Sequence, residues 1–221
     1  MGRAKGDLFL PVLGGRRGSD SPDTVQGYHA VITDKSGVTT EGYYLWQGGP
    51  LHRDGGPALV ETTENRFRRE IYYKNGKIHR SGGPAILESR PDGGSRIVYY
   101  NDGQTHRDDG PALYSTTKDG TRYEDYRFHG EVHREDGPAS TLYRPDGAVC
   151  QEWQQHGLLH REDGPAVIIT TESGARQEEY YLQGEPWLRE DNQHIFLFVE
   201  NEEQIKELEA VAGKVPRHLT R

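Results

Sequence analysis

Residues 153–166 read Trp153-Gln-Gln-His-Gly157-Leu-Leu-His160-Arg161-Glu-Asp-Gly-Pro165-Ala166. An aromatic residue stands four before a glycine, the glycine three before a histidine, and the histidine five before a proline. The same frame recurs upstream at a fixed step of 27 residues. Its prolines are Pro57, Pro84, Pro111, Pro138 and Pro165. Its histidines are His52, His79, His106, His133 and His160, each followed by an arginine: Arg53, Arg80, Arg107, Arg134 and Arg161. Its turn glycines are Gly49, Gly76, Gly103, Gly130, Gly157 and Gly184, preceded by Leu45, Tyr72, Tyr99, Tyr126, Trp153 and Tyr180. A fixed period of this kind marks a repeat architecture, in which each copy buries its apolar face only by stacking on its neighbours.

Each copy has a physical reading. Segments such as Arg96-Ile-Val-Tyr-Tyr100 are β-branched and aromatic, hence strand-like. They run into Asn75-Gly76 or Asp102-Gly103, dipeptides that tolerate the positive φ angles of tight turns. His-Arg-x-x-Gly-Pro-Ala comes next, then a second strand such as Ala166-Val-Ile-Ile-Thr170, closed by Gly93, Gly120, Gly147 or Gly174. Arg66 is the one gap in that last column. The unit therefore reads as two strands and two reversals. Proline cannot donate a ladder hydrogen bond, so it belongs at a strand's first residue, and the glycine before it is expected to supply backbone twist.

The expected fold is mainly β: an elongated antiparallel β-meander array of two-strand units over residues 28–187, closed by a strand–helix cap over 188–221. Tyr28–Ile32 and the Ser36-Gly37 turn supply a partial first unit. At the far end Trp187 stands where histidine is due and Gly-Pro-Ala is gone, as terminal copies that face water are commonly atypical. His194–Val199 reads as a final buried strand. Asn201 caps a helix over 202–212, with Gln204 reciprocating and Gly213 ending it. That helix is expected to cover the last sheet edge. Residues 1–27, rich in Gly, Arg, Ser and Asp, read as a flexible arm.

Composition narrows the function. Only 32% of the 221 residues are hydrophobic, so 13 tyrosines and 3 tryptophans carry much of the buriable area. A thin sheet suits this better than a layered α/β core. The net charge of −8 disfavours duplex nucleic acid, which needs a clustered basic face. Arg3, Lys5, Arg16 and Arg17 of the arm, acting with the arginine column, are the rival to that expectation. The acidic balance equally disfavours an anionic membrane surface. One cysteine, Cys150, leaves no disulfide framework and no cysteine-based zinc site. No apolar run reaches the ~20 residues of a membrane span. The apolar run after Met1 is broken by Pro11, too short for a signal peptide. A soluble, cytoplasmic protein is expected, with a virion location as the alternative.

The histidine column invites a metal or a pH-sensing role. Equivalent positions in successive two-strand units lie about 10 Å apart, whereas zinc needs ligand nitrogens about 2 Å from one ion. The expected role is packing, with each imidazole beside its neighbour's turn and hydrogen-bonded to backbone; a proton-sensitive surface is the alternative. The arginine column is followed by Asp54, Asp108-Asp109, Glu135-Asp136 and Glu162-Asp163, and only Ser81-Gly82 lacks acids. Carboxylates so close neutralise most of an anion-binding stripe. The paired acids do not suggest general acid–base work, because near-identical copies provide no two groups with distinct environments. No phosphate loop, nucleophile elbow or HExxH segment appears, and Cys150, between Val149 and Gln151, reads as a buried thiol. No cofactor is expected.

Tyr44, Tyr73, Tyr100 and Tyr181 stand beside the aromatic column, Tyr44 one residue before Leu45 and the others one residue after their members. Adjacent strand residues face opposite sides, so one tyrosine set should be exposed as low-entropy anchors for a partner. These tyrosines, with the arginine and histidine columns, form the candidate binding face.

The copies running from Tyr126 to Ala139 and from Trp153 to Ala166 resemble the "HREDGPA" repeats of bacteriophage and large DNA-virus proteins, which are similar to variant MORN repeats. The resemblance covers residues 28–187. It implies an elongated antiparallel sheet, protein association or in some members lipid contact, and no catalytic residues. The 27-residue unit is longer than the standard MORN unit, with His-Arg-acid-acid-Gly-Pro-Ala inserted. The function expected is a non-catalytic, phage-encoded protein-interaction module that binds or inhibits a host or viral protein. A phospholipid-binding protein or a small-ligand sequestering protein is the alternative.

Overall fold

A computed structural model of the chain describes residues 27–187 and 195–212. The arm up to residue 26, the cap residues 188–194 with His194, and Gly213 onward lie outside those residues. The chain divides between Gln104 and Thr105 into two units.

The fold is mainly β and antiparallel, with strands in meander order and one helix near the C-terminus. In the first unit the sheet strands follow chain order: Tyr28–Thr33, Thr39–Tyr44, Leu59–Thr62, Arg68–Ile71, Ile86–Ser89 and Ser95–Val98. In the second they are Leu113–Thr116, Arg122–Asp125, Ser140–Tyr143, Val149–Glu152, Val167–Thr170, Arg176–Glu179 and Ile195–Phe198.

Each copy proves to have more than two strands. The strand-like run into the turn breaks at the aromatic residue, and the chain beyond it forms a separate two-residue hairpin. Arg127–Phe128 pairs Glu131–Val132 in this way, and Gln154–Gln155 pairs Leu158–Leu159. The break has a hydrogen-bond cause. The Tyr126 N–H donates to Ala139 O at 2.7 Å, while its carbonyl accepts from the His133 N–H at 3.0 Å. The aromatic residue thus ends the sheet ladder on one side and opens the hairpin on the other. Positive φ at both turn residues, as at Asn75 (51°) and Gly76 (81°), gives the turn twist that a two-residue hairpin needs. Arg66, the gap in the other glycine column, keeps the left-handed backbone with φ 71°.

The core is thin and set by the motif. The alanine of each Gly-Pro-Ala, at 58, 85, 112, 139 and 166, is 0% exposed. Proline precedes the first ladder residue, where its missing donor costs nothing. In the first unit Ile71, Ile86 and Val98 lie opposite one another across adjacent strands, all buried. One and two periods after Val98 stand Asp125 and Glu152, so the second unit fills this column with acids. Asp125 is fully buried and satisfied by Arg127 Nε and Ser140 Oγ, both donating at 2.6 Å. An unpaired buried carboxylate would be costly, which explains why Arg127 stands where the first unit has Tyr73 and Tyr100. Glu152 is held likewise by Gln154 Nε2 at 2.6 Å.

Helix α1, Glu202–Ala212, is capped by Asn201, whose Oδ1 accepts from the Gln204 N–H at 3.0 Å. Gln204 reciprocates one residue earlier than expected, accepting from the Glu200 N–H at 2.6 Å. The helix does not cover the sheet edge. It lies on the sheet face, where Leu208 packs with Val167, Ile169 and Ala175. Leu208 needs apolar surface to bury, and Val167 and Ile169 supply it two strands in from the edge. In the terminal strand Ile195–Phe198, expected to be buried, Ile195 and Phe196 are half-buried and Phe198 is 54% exposed.

Candidate functional site

The arginine column forms one side-chain geometry that recurs from copy to copy. Arg80 Cζ sits 3.9 Å from the Tyr72 ring centroid, Arg134 4.0 Å from Tyr126, and Arg161 4.2 Å from Trp153. On its other side the guanidinium lies against the Gly-Pro step. Nη1 donates to the carbonyl of Pro57, Pro84, Pro111, Pro138 or Pro165 at 3.1–3.4 Å. In the second unit Nε of Arg107, Arg134 and Arg161 donates to Asp109, Asp136 and Asp163 at 2.7–2.8 Å. That bond holds each aspartate carboxyl below the usual carboxylate range.

The glycine before proline has a different role from the one expected. Gly137 is not in the left-handed region, but a Cβ there would lie 2.9 Å from Arg134 Cζ. Gly110 and Gly164 repeat this against Arg107 and Arg161, at 3.0 and 3.1 Å. Glycine lets the guanidinium rest on the backbone, a close approach from which any side chain would displace it.

The first copy departs from the regular spacing. Arg53 stacks on Tyr43, at 3.8 Å, and not on Leu45. Tyr43 also makes the column's backbone bonds, donating to Ala58 O and accepting from the His52 N–H. The loop between Tyr43 and His52 is two residues longer than that between Tyr72 and His79, so counting from the glycine picks the wrong residue.

The histidine column latches one copy to the next, in line with the packing role expected for it. Nδ1 of His52 and His79 accepts from the N–H of Asn75 and Asp102. His106, His133 and His160 accept from His129, His156 and Gln183, all at 3.1–3.3 Å. One residue on, the next turn glycine donates to the residue before each histidine, as Gly157 N does to Val132 O at 2.8 Å. With Nδ1 an acceptor, the ring proton sits on Nε2. Nε2 points toward the loop acids, at 3.1 Å from Asp108, 3.9 Å from Glu135 and 3.8 Å from Glu162. At the end of the column, Trp187 N donates to Tyr180 O and takes the histidine's backbone place.

The tyrosine set is not an exposed row. Tyr44 is half-buried beside Tyr28, with ring centroids 6.1 Å apart. Tyr73 and Tyr100 are half-buried, and burial pushes the Tyr73 hydroxyl up. Tyr181 packs on the cluster beneath α1 and donates to Glu179 at 3.1 Å. The large exposed apolar residues of the second unit's hairpins are instead Phe128 and Leu158. At the first turn position, His129 stacks on His106 with centroids 4.7 Å apart, and His156 lies tilted over His133 at 4.6 Å. Their signal was their place beside Gly130 and Gly157, where other copies carry Asn75 or Asp102.

Two equivalent grooves lie one copy apart in the second unit. The first runs between loops 107–110 and 133–136, over Tyr126, Arg127 and Phe128. The second runs between loops 134–137 and 160–163, over Trp153 and Gln155. Cys150 is in neither; burial, reinforced by Glu152 and Glu179, pushes its thiol to about 11. Among the described residues, no three His, Cys, Asp or Glu side chains are grouped to hold a metal ion, and no helix is long and apolar enough to cross a membrane.

Fold and site together define an antiparallel β-repeat protein whose copies are joined by histidine latches and braced internally by arginine–aromatic stacks. No protein-family model matches the sequence, and a search of curated proteins finds none similar to it.

Proposed function

We propose that this protein is a non-catalytic protein-interaction module whose partner is a host or viral protein. The observation that carries this is the repetition of one groove geometry at successive copies of the second unit, with exposed acidic rims. Protein partners are held by extended, repeated surfaces, whereas catalysis needs one pocket whose groups differ in environment. The titratable groups support this: the arginine and second acid of each second-unit loop pair with one another, the histidine latches to the next copy, and the one thiol is kept protonated. The likeness of the copies to viral HREDGPA repeats supports a phage-encoded origin and a partner in the infected cell.

The test is affinity capture on the immobilised full chain from host lysate, followed by reconstitution of each captured protein on a sizing column. A stoichiometric complex that survives reconstitution is the expected result. Retention of a small molecule with no protein, or turnover of a substrate, would overturn the proposal.

A further inference from the structure

We infer that the two grooves of the second unit take an extended, basic polypeptide segment with a cationic side chain at every third residue. This assignment rests on the interaction role proposed above and adds the chemistry of the partner.

The charge in the three loops does not cancel. Each carries two carboxylates against one guanidinium: Asp108 and Asp109 with Arg107, Glu135 and Asp136 with Arg134, Glu162 and Asp163 with Arg161. The guanidinium is committed to the second acid and to the proline carbonyl. The side chains of Asp108, Glu135 and Glu162 are 83%, 84% and 86% exposed and are left as one uncompensated charge per loop. Arg127, in the first groove, is neutralised by the buried Asp125. The first unit lacks this pattern: Ser81-Gly82 takes the place of the acids in one loop, and Asp54 is the single acid of the other.

A second observation points to a ligand. His133 and His160 line the two grooves, and the His160 side chain is only 8% exposed. Nδ1 of each is occupied by a backbone N–H, so Nε2–H is a donor. It lies 3.9 Å from Glu135 Oε1 and 3.8 Å from Glu162 Oε1, beyond hydrogen-bond reach. Each groove therefore presents an unfilled donor beside an unfilled anionic acceptor. A bare metal cation has no acceptor for the imidazole N–H, and phosphate is repelled by the carboxylates. A lysine or arginine residue supplies both partners, its side chain for the carboxylate and its carbonyl for the imidazole.

Equivalent loops are two strands apart, about 10 Å, and a segment in the extended polyproline-II conformation advances about 3.1 Å per residue with three residues per turn, so every third side chain returns to the same face. Three residues thus bridge one copy. Phe128, 47% exposed in the first groove where Gln155 lines the second, adds an apolar contact at one rung and so a preferred direction.

The test uses the full chain and a fluorescein-labelled 12-residue peptide of repeating Lys-Ser-Thr. A peptide of equal composition with clustered lysines, and one with glutamate for lysine, are the controls. Anisotropy should show the spaced peptide binding at least about ten-fold more tightly than the clustered one, with affinity falling as salt rises. Glu-Ser-Thr should not bind. The triple variant Asp108→Asn, Glu135→Gln, Glu162→Gln should lose about ten-fold or more with an unchanged urea midpoint, since these side chains are exposed. Equal binding of both lysine spacings, no binding, or an unaffected triple variant would overturn the inference. A captured protein partner that binds the triple variant as well as the parent would also overturn it, while leaving the interaction role standing.

Discussion

Gly137→Ala tests whether the glycine before proline exists to admit the arginine. The new Cβ would meet Arg134 Cζ at 2.9 Å and Nε at 3.2 Å, so the guanidinium must move. Moving it weakens the stack on Tyr126, at 4.0 Å, and the bond to the Pro138 carbonyl, at 3.4 Å. The stack contributes about 0.5–1 kcal/mol and a charged hydrogen bond about 1.5 kcal/mol. The pair with the exposed Asp136 adds little, because solvent screens it. Against this, alanine restricts the unfolded chain and stabilises by about 0.4–1 kcal/mol, because the backbone at this position is not left-handed. The expected net is a loss of about 1–2 kcal/mol, read as a lower urea midpoint by circular dichroism. In an Arg134→Ala background the clash partner is gone, so the same substitution should turn neutral or stabilising. A double-mutant cycle should then give a coupling of about 1.5–3 kcal/mol. Equal destabilisation in both backgrounds would place the requirement in the backbone and refute the reasoning.

Three further outcomes are expected. His160→Ala should speed hydrogen exchange at the Gln183 amide, which donates to Nδ1 at 3.1 Å, while Gly184, bonded to Leu159 O, keeps its protection; a uniform change across both would contradict the latch. With its thiol near 11, Cys150 should be about one part in 3,000 thiolate at pH 7.5, so native alkylation should be far slower than after denaturation, and equal rates would contradict burial. Asp109, Asp136 and Asp163 are lowered from 3.8 by their arginines, so their contribution is complete above that value and lost as pH falls below it. Changing all three to asparagine should flatten the stability loss below about pH 4, measured as urea midpoint against pH.

The repeat period and the strand-and-turn content could be read from the chain because they depend on local chemistry. Glycine and asparagine mark positive φ, proline marks a missing donor, and β-branched and aromatic runs mark strands. The packing role expected for the histidine column agrees with the Nδ1 latches, since identical positions in a stacked repeat meet identical neighbours. The first copy's aromatic partner was not legible, because a two-residue insertion shifts Tyr43 against the glycine used to count it. Nor was the purpose of the glycine before proline, since conformational freedom and close approach leave the same residue in the sequence.

By itself, the sequence determined what recurs: copy length, turns, the proline at the start of each ladder, and the arginine beside its acids. Tertiary structure alone decided what each recurring residue touches. Whether Tyr73 or Tyr181 faces water, or Asp125 is buried, depends on what covers that face of the sheet, and strand alternation assigns sides without saying which is covered. Helix α1 settles this at one end by burying Leu208 on Val167 and Ile169. The arginine stack likewise needs the ring, the glycine and the proline carbonyl brought together from two ends of a folded copy, a distance that no local pattern encodes.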